Sequence, residues 1–259
     1  MLRERADEPV LFMLRKWMDA CPDLSVGFSG PSNTALHVDD DPATVIHNRK
    51  AITSALRFDF EAWTCGEQVH DNRIARVTAA ERGSGRLTRA SAIQATDGLT
   101  TNELDVLLTS FYADCVPLYF FDPVTRATGL AHAGWKGTVL KIAVNMVNHM
   151  ETQYGTPPAR LLVAIGPSIG PCCYEVDERV AEKVRKLQLP HGLVKKNDKH
   201  YDLDLKECNR QLMIKAGINP NHIEFSLLCT SCHSDLFFSH RRDQGKTGRM
   251  ASWIGLRKG

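Results

Sequence analysis

The sequence predicts a single domain of mixed α and β structure spanning residues 1–259, and three observations point there. Hydrophobic residues make up 43% and charged residues 24% of the chain, the balance of a protein that buries a core rather than of a disordered or fibrous one. Short apolar runs closed by turn residues alternate with segments of helical period. No repeat and no linker rich in Pro, Gly or Ser divides the chain, and Gly83-Ser84-Gly85 reads as a loop. A chain of this length buries roughly three quarters of its unfolded surface, so folding requires neither a disulfide nor a metal.

Val10, Leu11, Leu14, Trp17 and Met18 recur at helical spacing and predict an amphipathic helix after Pro9. Asp41-Pro42 reads as an N-cap and first helical position, with Val45, Ile46, Ile52 and Leu56 along one face. Val106-Leu107-Leu108 and Val116 to Phe121 are apolar runs suited to buried strands, the second closed by the turn pair Asp122-Pro123. Thr128 to His132 is a third strand, and Thr138 to Tyr154 a helix ended by Gly155. Leu161 to Ile165, Ile223 to Leu228, Leu236 to Ser239 and Met250 to Leu256 read as strands. Val176 to Leu187 and Leu205 to Ala216 read as helices, the latter stopped by Gly217 and Pro220.

Basic and acidic side chains number 32 and 30, a net +2 that argues against a polynucleotide or a membrane surface as partner. No run approaches ~18 apolar residues, which excludes a spanning helix. The first twenty residues carry Arg3, Glu4, Arg5, Asp7, Glu8, Arg15 and Lys16 and no export signal, so a cytoplasmic address and reduced cysteines are expected. Four of the eight cysteines lie in the pairs Cys172-Cys173 and Cys229-Cys232. Cys229-Thr230-Ser231-Cys232-His233 matches the c-type haem attachment pattern, but that attachment follows export. A zinc site built on Cys229 and Cys232 would want a second Cys-x-x-Cys, which Cys172-Cys173 is not. Packed, reduced thiols are the expectation for these four.

Three segments carry chemistry. Glu67-Gln68-Val69-His70 follows a Trp63-containing run, Ala113-Asp114-Cys115-Val116 joins two apolar runs, and His132-Ala133-Gly134-Trp135-Lys136-Gly137 leads a strand into a helix. A Cys–His pair can serve as a thiolate nucleophile with its base. A Cys with two His can instead hold zinc and leave a fourth position open. Arg241-Arg242-Asp243, with Lys246 and Arg249, is a basic cluster, either a solvated face or an anion clamp whose guanidinium forks match phosphate oxygens.

These segments resemble the signature of the YfiH-type laccase-domain family, also called the multi-copper polyphenol oxidoreductase family and regarded as zinc-dependent purine nucleoside phosphorylases. The resemblance runs through Gly166-Pro167-Ser168-Ile169-Gly170-Pro171-Cys172-Cys173-Tyr174-Glu175-Val176, Asp235 to Asp243 and Thr247 to Ala251, with an earlier echo in His37 to Pro42 and Asn48-Arg49, and so covers nearly the whole chain. It implies an α+β fold, one YfiH-like domain with mixed β-sheets flanked by helices. It also implies His70, Cys115 and His132 as Zn²⁺ ligands, with phosphorolysis of adenosine, inosine, guanosine and methylthioadenosine and deamination of adenosine.

On that resemblance Cys115, Asp114 and Arg241 are the catalytic candidates, Asp114 as general acid/base. Asn48, Arg49, Gly134, Lys136, Arg242 and Arg249 are the candidates for binding nucleoside and phosphate, with the backbone of Gly134 to Thr138 added at a helix N-terminus. Three departures stand out: a Gly-rich stretch contracted to Gly30-Pro31-Ser32-Asn33, Lys136 where arginine is common, and His240 where tyrosine is common.

Copper is the less favoured metal. A multi-copper oxidase needs histidines largely in His-x-His pairs, since imidazole is the ligand of its cluster. The ten histidines here, at 37, 47, 70, 132, 149, 191, 200, 222, 233 and 240, include no such pair. The alternatives to a zinc phosphorylase are a metal-free Cys–His hydrolase, a copper-dependent polyphenol oxidase, a non-catalytic purine-binding module and a purely structural zinc staple. The sequence leaves a homo-oligomer open.

Overall fold

A computed structural model describes residues 8–258. The charged opening at Arg3, Glu4, Arg5 and Asp7, and the outermost ends of the expected 1–259 domain, lie outside the described residues.

In chain order the elements are β1 (Leu11–Met13), α1 (Arg15–Ala20), β2 (Leu24–Ser29), α2 (Pro42–Ala55), β3 (Trp63–Cys65), β4 (Ile74–Arg76), β5 (Gly98–Thr101) and β6 (Val106–Tyr112). There follow β7 (Val116–Phe121), β8 (Thr128–Ala133), α3 (Trp135–Val139), α4 (Ile142–Tyr154), β9 (Leu162–Ile165), β10 (Glu175–Asp177) and α5 (Glu178–Arg185). The chain continues through β11 (Leu193–Lys195), β12 (His200–Leu203), α6 (Leu205–Lys215), β13 (Ile223–Phe225) and β14 (Met250–Leu256). They form a mixed sheet β1-β2-β14-β6-β3, a second mixed sheet β13-β9-β7-β8-β5-β4, and a small antiparallel sheet β10-β12-β11. This is the expected α+β architecture of mixed sheets flanked by helices.

The layering follows from the period-2 alternation of side chains along strands. On β6, Val106 and Leu108 face inward and meet Leu24, Val26, Ile254 and Leu256 of their own sheet and Tyr119, Phe121 and Leu130 of the other. Leu107 and Phe111 point outward to Trp63, Trp253, Ile52 of α2 and Leu56 just after it. On β7 the outward set, Val116, Leu118 and Phe120, packs on Ile142, Met146, Val147 and Met150 of α4 and on α5 and α6. Both faces of these strands are buried, so β7 reads as a near-continuous apolar run and β6 does so except for the buried Thr109 and Ser110. Each such side chain contributes roughly 1.5–3 kcal/mol of transfer free energy.

Several elements differ from expectation. Leu11–Met13 is a strand paired antiparallel with β2, Leu11 opposite Ser29, so the opening helix begins only at Arg15. A short apolar run fits either period, and here an available sheet edge decides. The helix expected from Thr138 breaks at Lys141, whose φ of 61° lies in the left-handed region, giving α3 and α4. The helix expected from Val176 starts at Glu178, because Asp177 ends β10 and caps α5 through the N–H of Val180. The strand from Ile223 stops at Phe225. Leu236 to Ser239 is an irregular loop rather than a strand, with the N–H groups of Leu236 and Phe237 donating to His233 O.

The turn after β7 holds an ion pair with a testable consequence. The Asp122 side chain is fully buried and accepts from Val124 N (3.0 Å), Thr125 Oγ1 (2.7 Å), Thr156 Oγ1 (2.7 Å) and Arg160 Nε (2.8 Å). Burial opposes its ionisation, but the Arg160 guanidinium and the hydroxyl donors prevail and hold the carboxyl well below its ordinary value of 3.8. A depressed carboxyl stabilises the fold above its unfolded-chain value, and the contribution fades as pH falls toward the folded one. Asp122→Ala is therefore expected to cost about 2–4 kcal/mol at pH 7 and less on acidification below 3.8, read from urea unfolding at both pH values. A constant difference across that range would refute the assignment.

Candidate metal centre

The two large sheets meet where β6 passes into β7, and the side chains of His70, Cys115 and His132, which could hold a metal ion, collect at that seam. Cys115 sits in the connecting turn, reached through Asp114 with a left-handed φ of 84°. Pro117 of β7 pairs with His132 of β8, which sets His132 beside the turn. His70 comes from the loop after β3, itself in the left-handed region at φ 62°. The ligand atoms of His70, Cys115 and His132 all lie within 4.8 Å of one another, with His70 Nε2 4.0 Å from Cys115 Sγ. Residues 45 and 62 positions apart from His70 are thus brought to one point by strand pairing.

Asp97, just before β5, organises the cluster and was missed in the sequence. Its buried carboxylate lies 2.8 Å from His132 Nδ1 and accepts the backbone N–H groups of Val69 (3.0 Å), His70 (3.0 Å) and Asp71 (2.9 Å). One carboxylate therefore fixes the orientation of one imidazole and the loop that carries the other. A carboxylate acceptor keeps the His132 proton on Nδ1, which leaves Nε2 as the ligand nitrogen. Burial resists the Asp97 charge, but the His132 and backbone donors hold its carboxyl below the usual range. Burial also opposes the Cys115 thiolate; the flanking His132 and His70 outweigh it and bring the thiol down to about 6. Tyr112 supports the His132 ring at 5.4 Å between centroids.

Gly134 is required by space rather than by backbone angle. A Cβ there would stand 2.9 Å from Cys115 Sγ and 3.2 Å from His70 Cδ2, while its φ of −72° suits any residue. If the three side chains hold a metal ion, Gly134→Ala should leave the fold intact and lower metal affinity about 10–100-fold by pushing Cys115 and His70 apart, measured by competition with a chromophoric chelator. Unchanged affinity would show that the three side chains do not share an ion.

The remaining candidates divide. Asp114 is buried and its carboxylate accepts from Thr230 Oγ1 (2.7 Å), Ser239 Oγ (3.0 Å) and Arg241 N (2.7 Å). Arg242 is committed to Asp243 (2.7 Å) and to the carbonyls of Thr230 (3.1 Å) and Phe237 (3.0 Å). Arg49 is buried over Phe111 and donates to the carbonyls of Thr34 (2.7 Å), Gly85 (2.8 Å) and Arg86 (2.9 Å). Asn48 holds the Asn33 carbonyl at 2.9 Å. Arg241 is exposed, stacked on Tyr174 with its Nη1 on Glu175 O, and Lys136 is exposed over Trp135. Arg249 is half-buried, close enough to Cys115 and Asp114 for their charges to act on it, and bonds Thr247 O and Gly248 O through Nη1. A cleft of about 810 Å³ lined by Asn33, His37, Asp40, Phe238 and Arg249 opens on this side. A comparable cleft of about 860 Å³ around Arg15 and Arg257 includes none of the site residues.

Residues 23–257 match the model of the family described as multi-copper polyphenol oxidoreductase laccase. The chain belongs to that family. It is 46% identical over 87% of its length to a Bacillus subtilis protein named purine nucleoside phosphorylase YlmD, covering 82% of that protein. It is 47% identical over 87% to the Geobacillus stearothermophilus protein of the same name, covering 84% of it. Among solved structures, Bacillus licheniformis hypothetical protein YfiH superposes with a TM-score of 0.92 at 44% identity, covering 98% of each chain. YlmD from G. stearothermophilus gives 0.89 at 43%, covering 91% and 93% of the two chains.

The donor set of this family member bears on the word copper. Among the described residues, the groups able to hold a metal are His70–Cys115–His132 and a second group made only of cysteines; neither is an imidazole-rich copper cluster. A thiolate with two imidazoles, one braced by a buried carboxylate, fits zinc with an open position.

Proposed function

We propose that this chain is a zinc-dependent purine nucleoside phosphorylase that also deaminates adenosine, and that both reactions use the centre formed by His70, Cys115 and His132. The observation that carries the reading is the convergence of those three side chains on one point with Asp97 fixing two of them. The names of the relatives support the phosphorolytic activity.

Bound zinc would supply a Lewis acid and a water of lowered pKa. The protein supplies the rest. Asp97 keeps the His132 proton on Nδ1 and denies the purine a movable proton there. Arg249, beside Cys115, and the exposed Arg241 offer guanidinium groups to the phosphate dianion, whose oxygen attacks ribose C1′ as the C1′–N9 bond breaks and the purine leaves with the electron pair. Arg242, Arg49 and Asn48 act one step back, bracing the loops that present Arg249 and Asn33. Asp114, with its oxygens taken by Thr230, Ser239 and Arg241, is a positioning residue for Cys115 and Arg241 rather than the acid/base. Gly134, at the entry to the short α3, borders Cys115, and the exposed Lys136, held over Trp135, carries less of the phosphate.

A specific observation favours a second reading. Cys115 lowered to about 6, His132 raised to about 9 and Asp97 behind it form the thiolate–imidazolium–carboxylate order of a cysteine hydrolase. The third donor, His70, has no part in such a triad and places the metal reading first. Incubating the purified protein with adenosine, with and without phosphate, separates the outcomes by chromatography. Adenine and ribose 1-phosphate that appear only with phosphate are expected, with inosine as the mark of deamination. Absence of turnover, or turnover by protein stripped of metal, would overturn the proposal.

A further inference from the structure

Behind Asp114 the fold gathers the four cysteines whose sequence spacing predicts packed, reduced thiols. Cys172 and Cys173 lie in the loop between β9 and β10, and Cys229 and Cys232 in the loop after β13. A parallel bridge between Ser168 and Cys229, with Thr230 N–H donating to Ser168 O at 3.1 Å, draws the two loops together. All four sulfurs lie within 4.8 Å of one another, with Cys172–Cys232 at 3.6 Å and Cys173–Cys232 at 3.4 Å. Four thiolates around one Zn²⁺ at Zn–S distances of ~2.3 Å define a tetrahedron with edges of ~3.8 Å.

We infer that Cys172, Cys173, Cys229 and Cys232 form a second, structural zinc site, separate from the catalytic one. Four protein ligands close the coordination sphere, so this ion has no open position and serves as a staple. The surroundings suit an anionic cluster. Gly170 N–H donates to Cys229 Sγ at 3.2 Å, and a Cβ on Gly170 would stand 3.3 Å from Cys172 Sγ, so glycine allows the close approach. The buried ammonium of Lys206 binds Ser226 O and Leu228 O, next to Cys229, and offsets part of the charge of a tetrathiolate zinc dianion. The staple fixes the loop whose Thr230 holds Asp114, and so backs the turn that carries Cys115. The haem-like Cys229–His233 pattern has another use here: His233 turns back to Cys229 O through Nδ1 at 2.9 Å.

Metal analysis of the reduced full-length protein tests this. Two zinc ions per chain are expected for wild type, one for Cys173→Ser/Cys232→Ser, and one for His70→Ala/Cys115→Ala. Cobalt-loaded His70→Ala/Cys115→Ala protein should show the sulfur-to-cobalt charge-transfer bands of a tetrathiolate site. If the Cys173/Cys232 variant fails to fold, that spectrum decides alone. Equal zinc in wild type and Cys173→Ser/Cys232→Ser, absent thiolate bands, or a metal-free Cys173–Cys232 disulfide in the reduced-and-repurified protein would overturn the inference. Failure of the catalytic-zinc reading alone would leave one ion, removed by the Cys173/Cys232 pair and untouched by the His70/Cys115 pair.

Discussion

On the proposed reading, Cys115→Ala is expected to abolish measurable phosphorolysis and deamination, a loss of at least about 100-fold, and to remove any zinc bound with His70 and His132. The size follows from what the thiolate does. It is the only anionic ligand of the three, and two neutral imidazoles without it leave an ion poorly neutralised in a partly buried site. Cys115 is half-buried, and its side chain bears no part of the four core clusters except an edge contact with the group around Phe28 and Phe237, so the fold should survive. Activity, zinc content and thermal unfolding of the same preparation separate loss of the ion from loss of the protein. A Cys115→Ala enzyme that keeps its turnover would remove the metal centre from the mechanism.

Asp97→Asn should lower zinc affinity and kcat/KM about 10–100-fold, the range for losing a carboxylate that orients a histidine ligand. The substitution keeps the size of the side chain and exchanges one acceptor oxygen for a donor amide. That amide would face His132 Nδ1 or the N–H groups of Val69 and Asp71, all of which now donate to the carboxylate. Asp97→Ala should do more, adding a stability loss of about 1 kcal/mol from three backbone donors in a largely exposed loop that lose their shared acceptor. Because the native carboxyl is held below its ordinary range, this stabilisation is present above the unfolded-chain value and is lost as pH falls toward the folded one. Wild-type metal affinity in Asp97→Asn would show that His132 is oriented by packing on Tyr112 alone.

Particular residues show what the sequence made legible. Val106-Leu107-Leu108 and Val116 to Phe121 were readable because both faces are buried and each run is apolar, whereas the extension of the first strand through Thr109 and Ser110 to Tyr112 was not. The α2 start was readable because Asp41 caps it through Ala43 and Thr44 N–H. Edge strands such as Leu11–Met13 and three-residue strands such as Trp63–Cys65 were not, since their pairing is set by partners far along the chain. At the site, His70, Cys115 and His132 were found through motif resemblance, whereas Asp97 sits in Ala95-Thr96-Asp97-Gly98 with no motif of its own. An acidic residue at a strand start following a loop threonine is a weak signal that only the contact with His132 makes specific. Arg49 and Arg242 illustrate the converse: a guanidinium in a motif reads as an anion ligand, but its five donors serve equally well to tie carbonyls of adjoining loops. The four paired cysteines were set aside on spacing, because a bridge between two loops supplies the proximity that a second Cys-x-x-Cys would have supplied in sequence.

The most direct measurement follows inosine and phosphate with purified protein before chelation, after chelation, and after zinc is restored. The account predicts hypoxanthine and ribose 1-phosphate in the first and third conditions, none in the second, and none in any condition for Cys115→Ala. Equal product before and after complete removal of the ion from the His70–Cys115–His132 centre would contradict it.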